Sequence, residues 1–373
     1  MGSVTARRGV RGILVGIAVA SLVACSDEDA SEGGAEPTAS DAPSATEIPS
    51  LGGGPPASEP ATPTRKATSD PAPTPLWPTM QVYEVPAGTG PHDVAPATDG
   101  GVWYTAQQSG ELGYLDPDSG ETRHIDLGPG ARPHGVVVDP DGAPWITDGG
   151  LNAIVRVDPD TDEVLAFDLP GDRPDANLNT AAFDRRGRLW FTGQSGVYGR
   201  LNPATGDMAV FDSPQGPGPY GITATPHGDI WFVSLAGSYL ANADLNTDEA
   251  TVIQPPTPDQ GARRVWSDSS GRLWVSQWNA GQVSAYDPAA ETREEWCLPG
   301  DAPQAYSVYV DERDAVWLSD FGSNTIVRFD PQTERFRELP LPGEPGEVRQ
   351  MHGREGEVWA PESATDRLVV IRY

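Results

Sequence analysis

Two histidines recur in the same local setting, His92 in "GPHDV" and His134 in "RPHGV". Fourteen residues after His134 stands Asp148, and two later segments carry Asp320 and Glu362. An imidazole beside a carboxylate suits proton transfer, because its pKa lies near neutrality and the acid can orient the ring. Two imidazoles with several carboxylates equally suit a divalent cation, Mg²⁺ or Ca²⁺, held through nitrogen and oxygen. Asn179, Tyr220, Arg263 and Tyr306 form a second polar set fit to hold an organic ligand, and Arg132, two residues before His134, offers a guanidinium for a substrate carboxylate. The alternative is that all of these merely cap strand ends around a solvated channel.

These residues share a register. Seven tryptophans, at 103, 145, 190, 231, 274, 317 and 359, are spaced by 42, 45, 41, 43, 43 and 42 residues. A period of this size marks an array of supersecondary units. Each unit reads as four short alternating strands, as in "HGVVVD", "PWITD", "AIVRVD" and "VLAFDLP", separated by Asp-, Pro- and Gly-rich turns. Seven units of four strands predict an all-β fold, a seven-bladed β-propeller of antiparallel blades. The last unit stops after three strands, and "MQVYEVP" at 80–86 has the fourth-strand pattern. It is expected to complete the final blade and remove an exposed sheet edge.

Within each unit the first two strands form a hairpin, and the positions eleven before and three after the tryptophan lie at its open end. The first series is His92, His134, Asn179, Tyr220, Arg263, Tyr306 and Val348; the second is Ala106, Asp148, Gly193, Ser234, Gln277, Asp320 and Glu362. A purely structural position would be filled alike in every blade, as the tryptophan is. These positions are mostly polar and differ, so they define a candidate mouth, with His92, His134, Asp148, Asp320 and Glu362 on one arc once the ring closes. His124 and His227 fall outside the register and read as surface residues.

The N-terminal part has another character. Residues 1–25 carry three arginines, an apolar stretch and "LVAC", the order of a secretory signal ending in a lipobox-like cysteine. Cleavage before Cys25 and lipidation of its thiol are expected, which would anchor the protein to the membrane outside the cytoplasm. Residues 26–79, rich in Pro, Ala, Ser, Thr and acids, read as a disordered tether to a domain at 80–373. The net charge is −29, and −32 without the signal, which argues against nucleic-acid partners and against any membrane contact beyond the anchor. The closed ring suggests a monomer. With cysteines only at 25 and 297 there is no disulfide framework to carry the fold.

The units "GPHDVAPATDGGVWYT", "ARPHGVVVDPDGAPWITD" and "GPYGITATPHGDIWFVS" resemble the streptogramin B (virginiamycin B) lyase family, over residues 80–373. The resemblance implies a propeller enzyme that opens a cyclic depsipeptide at its ester by elimination, a histidine removing the proton α to the carbonyl and Mg²⁺ stabilising the enolate-like charge. The family's two consecutive P-H blades map onto His92 and His134, and its glutamate fourteen residues further on maps onto Asp148. This chain departs from the pattern at Asp148, shorter by a methylene, at Arg132, where the family has an acid, and at Ala106, where it has a glutamate. Three functions therefore stand open: a metal-assisted lyase, a lactonase-like hydrolase, and a non-catalytic cell-surface propeller binding a small molecule or peptide at its mouth.

Overall fold

The computed structural model describes residues 78–373. The signal, Cys25 and nearly all of the tether lie outside the described residues. Twenty-eight strands, β1 to β28, form seven four-stranded antiparallel sheets. Six blades run in simple order, beginning with β2 (Pro91–Pro96), β6 (Pro133–Val138), β10 (Leu178–Phe183), β14 (Pro219–Ala224), β18 (Ala262–Ser267) and β22 (Ala305–Val310). The seventh has the order β1-β28-β27-β26, built from β1 (Thr79–Glu84), β26 (His352–Arg354), β27 (Glu357–Glu362) and β28 (Arg367–Arg372). β1 pairs with β28 in continuous antiparallel register, Thr79 opposite Arg372 through Glu84 opposite Arg367. The expected closure by the N-terminal strand is observed.

The core is not one mass but seven slabs, each at the interface of two neighbouring blades. Trp145 and Ile154 of the second blade pack against Leu178, Leu189 and Phe191 of the third. Trp359, Leu368 and Val370 of the seventh pack against Val94, Tyr104 and Leu115 of the first, so the closing interface is as apolar as the rest. Every period tryptophan is buried in such a slab. Its indole N–H donates in most blades to an acid near the hairpin turn: Trp145 to Asp139, Trp190 to Asp184, Trp274 to Asp268 and Trp317 to Asp311, at 2.8–3.0 Å. The tryptophan is therefore repeated because it fills the interface and ties down the turn.

First strands line the channel, and each carries an irregularity. In blade 1 Pro91 faces Ala106 and Val94 faces Tyr104, so His92 and Asp93 together oppose the single residue Thr105. The same shift recurs in the first strands of the other five simple blades. Such a bulge re-aims side chains that a regular strand would send to opposite faces. A hydroxyl two residues after the tryptophan secures it. Thr105 accepts from the Asp93 N–H at 3.0 Å and donates to the His134 carbonyl of the next blade at 2.8 Å. Thr147 does the same for Gly135 and Asn179, and Ser276 for Arg264 and Tyr306.

Thr147→Val removes this latch and leaves a buried N–H and a buried carbonyl unpaired. It should cost about 1–3 kcal/mol in urea unfolding, while Thr147→Ser should cost little.

Candidate functional site

The bulges bring two residues per blade to the channel mouth instead of one. From the first series come His92, His134, Asn179, Tyr220, Arg263 and Tyr306; from the position that follows it in each blade come Asp93, Thr180, Arg264 and, after Val348, Arg349. Close approach of the blades limits that second position elsewhere: a Cβ on Gly221 would lie 2.7 Å from the Arg264 Cα.

His92 and His134 meet, their ring centroids 4.0 Å apart. His92 Nδ1 is 2.7 Å from Asp93 Oδ1, and that oxygen also accepts from Arg264 Nη2 at 3.1 Å. An oxygen accepting from a guanidinium accepts from the ring as well, so the proton sits on His92 Nδ1 and Nε2 keeps the lone pair. The network fixes His134 the other way. Arg264 Nη1 donates to Thr180 Oγ1, whose own proton goes to Asn179 Oδ1 at 2.6 Å. Asn179 Nδ2 then donates to His134 Nε2 at 3.2 Å, which leaves the proton on His134 Nδ1. That atom is buried and has no hydrogen-bond partner among the described residues.

Electrostatics keep both rings neutral. Burial, and then the charges of Arg264, Arg349 and Arg263, hold the His92 imidazole well below its usual range. Burial and the neighbouring His92 do the same for His134. Burial pushes Asp93 up, against the pull of Arg264. Across the mouth Tyr220 and Tyr306 share a hydroxyl–hydroxyl bond of 2.6 Å, and Arg263 lies 3.6 Å over the Tyr306 ring. Burial pushes the Tyr306 phenol up, but Arg263 and Arg264 outweigh it and hold it below the usual range.

The expected metal ligands are placed differently. Asp148 Oδ1 accepts the backbone N–H groups of Arg132, Gly150 and Leu151 at 2.8–2.9 Å. Asp320 accepts from Gln304 and Gly322 amides and the Ser323 hydroxyl, and Glu362 from the Gly343 amide and Thr365. These carboxylates are anchors for loop backbone at the blade ends, and they do not converge on the histidines. Arg132 is exposed at the rim. Among the described residues the cluster with metal-ligand spacing is His92, Asp93 and His134, whose ligand atoms lie within 4.8 Å of one another. It offers two nitrogens and one oxygen, and that oxygen is already paired with a buried guanidinium. Mg²⁺ and Ca²⁺ take oxygen ligands, so this donor set does not fit the cation that the resemblance implies.

Asp93 and Arg264 escape sequence reasoning because alternation places them behind the mouth, and only the bulge turns them in. The available signal is a charge at a position that four of the seven blades fill with Gly, Thr or Ser. His227 is exposed as expected, whereas His124 is half-buried on an outer strand, bonded to Glu111 and Tyr104. His352, at the far end of the channel against Trp266, was not singled out.

Fold and site together define a seven-bladed propeller with a polar channel mouth centred on paired imidazoles. The model of the virginiamycin B lyase family matches residues 76–301, and the chain belongs to that family. No curated protein matches it in sequence. A streptogramin B lyase structure aligns with TM-score 0.73 at 20% identity, covering 79% of this chain and 97% of the other. Virginiamycin B lyase from Staphylococcus aureus aligns with TM-score 0.74 at 19% identity, covering 80% and 100%. The extracellular domain of a hybrid two-component system from B. thetaiotaomicron aligns with TM-score 0.64 at 15% identity, covering 78% and 42%. At such identities the alignments speak for the fold alone.

Burial pushes His352 down to about 4, in the same direction as the two mouth histidines. The unfolded chain takes up these protons first, near pH 6.5. Their contribution to stability is complete above that pH and lost as pH falls below it, while Asp93, shifted up, acts with the opposite sign. The urea midpoint should therefore decline between about pH 6.5 and 5, and decline less in His352→Phe.

Proposed function

We propose that this protein is a carbon–oxygen lyase of the family's general kind, in which buried imidazoles do the work assigned to a base and a cation. The observation that carries the reading is the His92–Asp93 pair at 2.7 Å, which orients a neutral ring with its Nε2 lone pair available. In the reaction His92 Nε2 takes a proton α to a carbonyl. The electron pair of that C–H bond becomes the new C=C bond, the β C–O bond breaks, and its pair leaves on the departing carboxylate. The unpaired His134 Nδ1–H is a donor for the oxygen that gains charge on the way. The base is therefore His92, with Asp93 as its positioning residue, and not His134, whose Nε2 is engaged by Asn179. In this reading the N-terminal signal exports the chain and a lipid on Cys25 holds it at the outer face of the cytoplasmic membrane.

Burial supports a second reading. His92 and His134 are only 3% and 7% exposed, which suits a rigid binding propeller whose channel is filled by its own side chains. The extracellular domain of a hybrid two-component system, one of the structural neighbours, is compatible with it.

Incubation with virginiamycin B-type cyclic depsipeptides and simpler β-acyloxy carbonyl esters, followed by mass spectrometry, separates the possibilities. The lyase reading expects a ring-opened product isomeric with the cyclic depsipeptide, or an unsaturated carbonyl compound and a free acid from the acyclic esters, formed equally well with a metal chelator present, and a loss of about a hundredfold or more in His92→Ala. Water added across the ester would mean a hydrolase, and no turnover of any member would leave the binding propeller. Membrane retention abolished by Cys25→Ala would support the anchor, and unchanged retention would contradict it.

A further inference from the structure

One guanidinium at the channel mouth has no carboxylate partner among the described residues. Three guanidiniums converge there, on Arg263, Arg264 and Arg349. Arg264 pairs with Asp93 at 3.1 Å and Arg349 with Glu347 at 2.6 Å. Among the described residues no carboxylate lies within 4.0 Å of Arg263. Its one side-chain hydrogen bond runs from Nη2 to the Tyr220 hydroxyl at 3.3 Å, and its buried Nε has no partner. Arg263 is thus a cation without a carboxylate partner, on a chain whose formal charge is −29.

Aromatic rings hold that cation in place. The Arg263 guanidinium lies 3.6 Å from the Tyr306 ring centroid, 4.6 Å from that of Trp278 and 4.9 Å from that of Tyr220. Stacked rings satisfy the faces of a guanidinium and leave its N–H edge for an acceptor, and a carboxylate matches that edge with two oxygens. On the other side of Trp278 runs a groove of about 720 Å³, lined by Trp278, Phe321, Pro303 and Gln304, with one acid, Asp301, in its wall. Trp278 and Phe321 both also pack on Tyr306, at 5.6 and 4.8 Å. The groove and the stack around Arg263 therefore share an aromatic wall, and Asp301 is the one carboxylate in the groove.

We infer that Arg263 and the groove between Trp278 and Phe321 form a binding site for a monoanionic organic ligand, its carboxylate on the guanidinium and a flat apolar body against the rings. The site stands on Arg263 and its surroundings and does not require His92 to catalyse anything. Should the lyase reading hold, its substrates are carbonyl compounds bearing a carboxylate remote from the ester. The acidic exterior would then discourage polyanions while one local cation selects a single negative charge.

Isothermal calorimetry on the full chain tests this with benzoate, the uncharged isostere benzamide, and the variants Arg263→Gln and Arg263→Lys. The expected result is saturable benzoate binding, at least tenfold weaker for benzamide, lost in Arg263→Gln and partly kept in Arg263→Lys. Equal binding of benzamide, benzoate binding undiminished in Arg263→Gln, or no benzoate binding by the wild type would each overturn the inference. If the glutamine variant does not fold, the comparison of benzoate with benzamide on the wild type decides alone. Turnover of an ester without benzoate binding would remove this site and leave the lyase reading intact; benzoate binding without turnover would do the reverse.

Discussion

Much of this molecule rests on a single hydroxyl in each of five blades. Placed two residues after the tryptophan, it accepts an N–H from the bulge of its own first strand and donates to a carbonyl in the next blade. The first bond holds open an irregularity that a strand would otherwise relax. The second fixes the rotation of one blade on its neighbour at the height of the mouth. Because the carbonyl it grips belongs to the residue whose side chain faces the channel, the hydroxyl of one blade positions the functional side chain of the next. Thr105 thus sets His134, and Ser276 sets Tyr306. Two blades lack the hydroxyl, with Val233 and Pro361 in its place. The blade after Val233 is the one that presents Arg263.

The bulge also decides the electrostatics. By turning Asp93 and Arg264 into the channel it places a buried ion pair directly against His92. A buried pair gains little stability once desolvation is counted, so its value here lies in orientation. One carboxylate oxygen receives both the guanidinium and the imidazole, which fixes the tautomer of the ring. Through Thr180 and Asn179 the same arginine fixes the tautomer of His134. A single guanidinium thereby sets the proton positions of both histidines, and burial, reinforced by its charge, keeps them neutral. An environment so rich in arginine accommodates a neutral base and an anionic ligand more readily than a divalent cation.

The architecture was legible because it is periodic: the tryptophan spacing gives the blades, and the unmatched last unit gives the closure by β1. The first-series residues at the mouth were legible for the same reason, since His92, His134, Asn179, Tyr220, Arg263 and Tyr306 share one register. What failed was the inference from polarity to role. Asp148, Asp320 and Glu362 stand at the mouth end of their blades, yet a carboxylate at the end of a strand is also the best acceptor for the loop amides that follow it, and each is used that way. Conversely, Asp93 and Arg264 were hidden because strand alternation breaks at a bulge, and nothing in a local sequence window reveals a bulge whose partner strand must be known first.

The central claim is that His92 is a neutral imidazole with its proton on Nδ1, held there by Asp93 and Arg264. Nitrogen-15 NMR of histidine-labelled protein, with His92→Gln to assign the signal, reads this directly between pH 5.5 and 8. The account predicts a His92 Nδ1–H tautomer that does not titrate across that range, and a signal that begins to titrate once Arg264→Met removes the fixing charge. A wild-type His92 that becomes imidazolium near pH 6.5, or that carries its proton on Nε2, would contradict it.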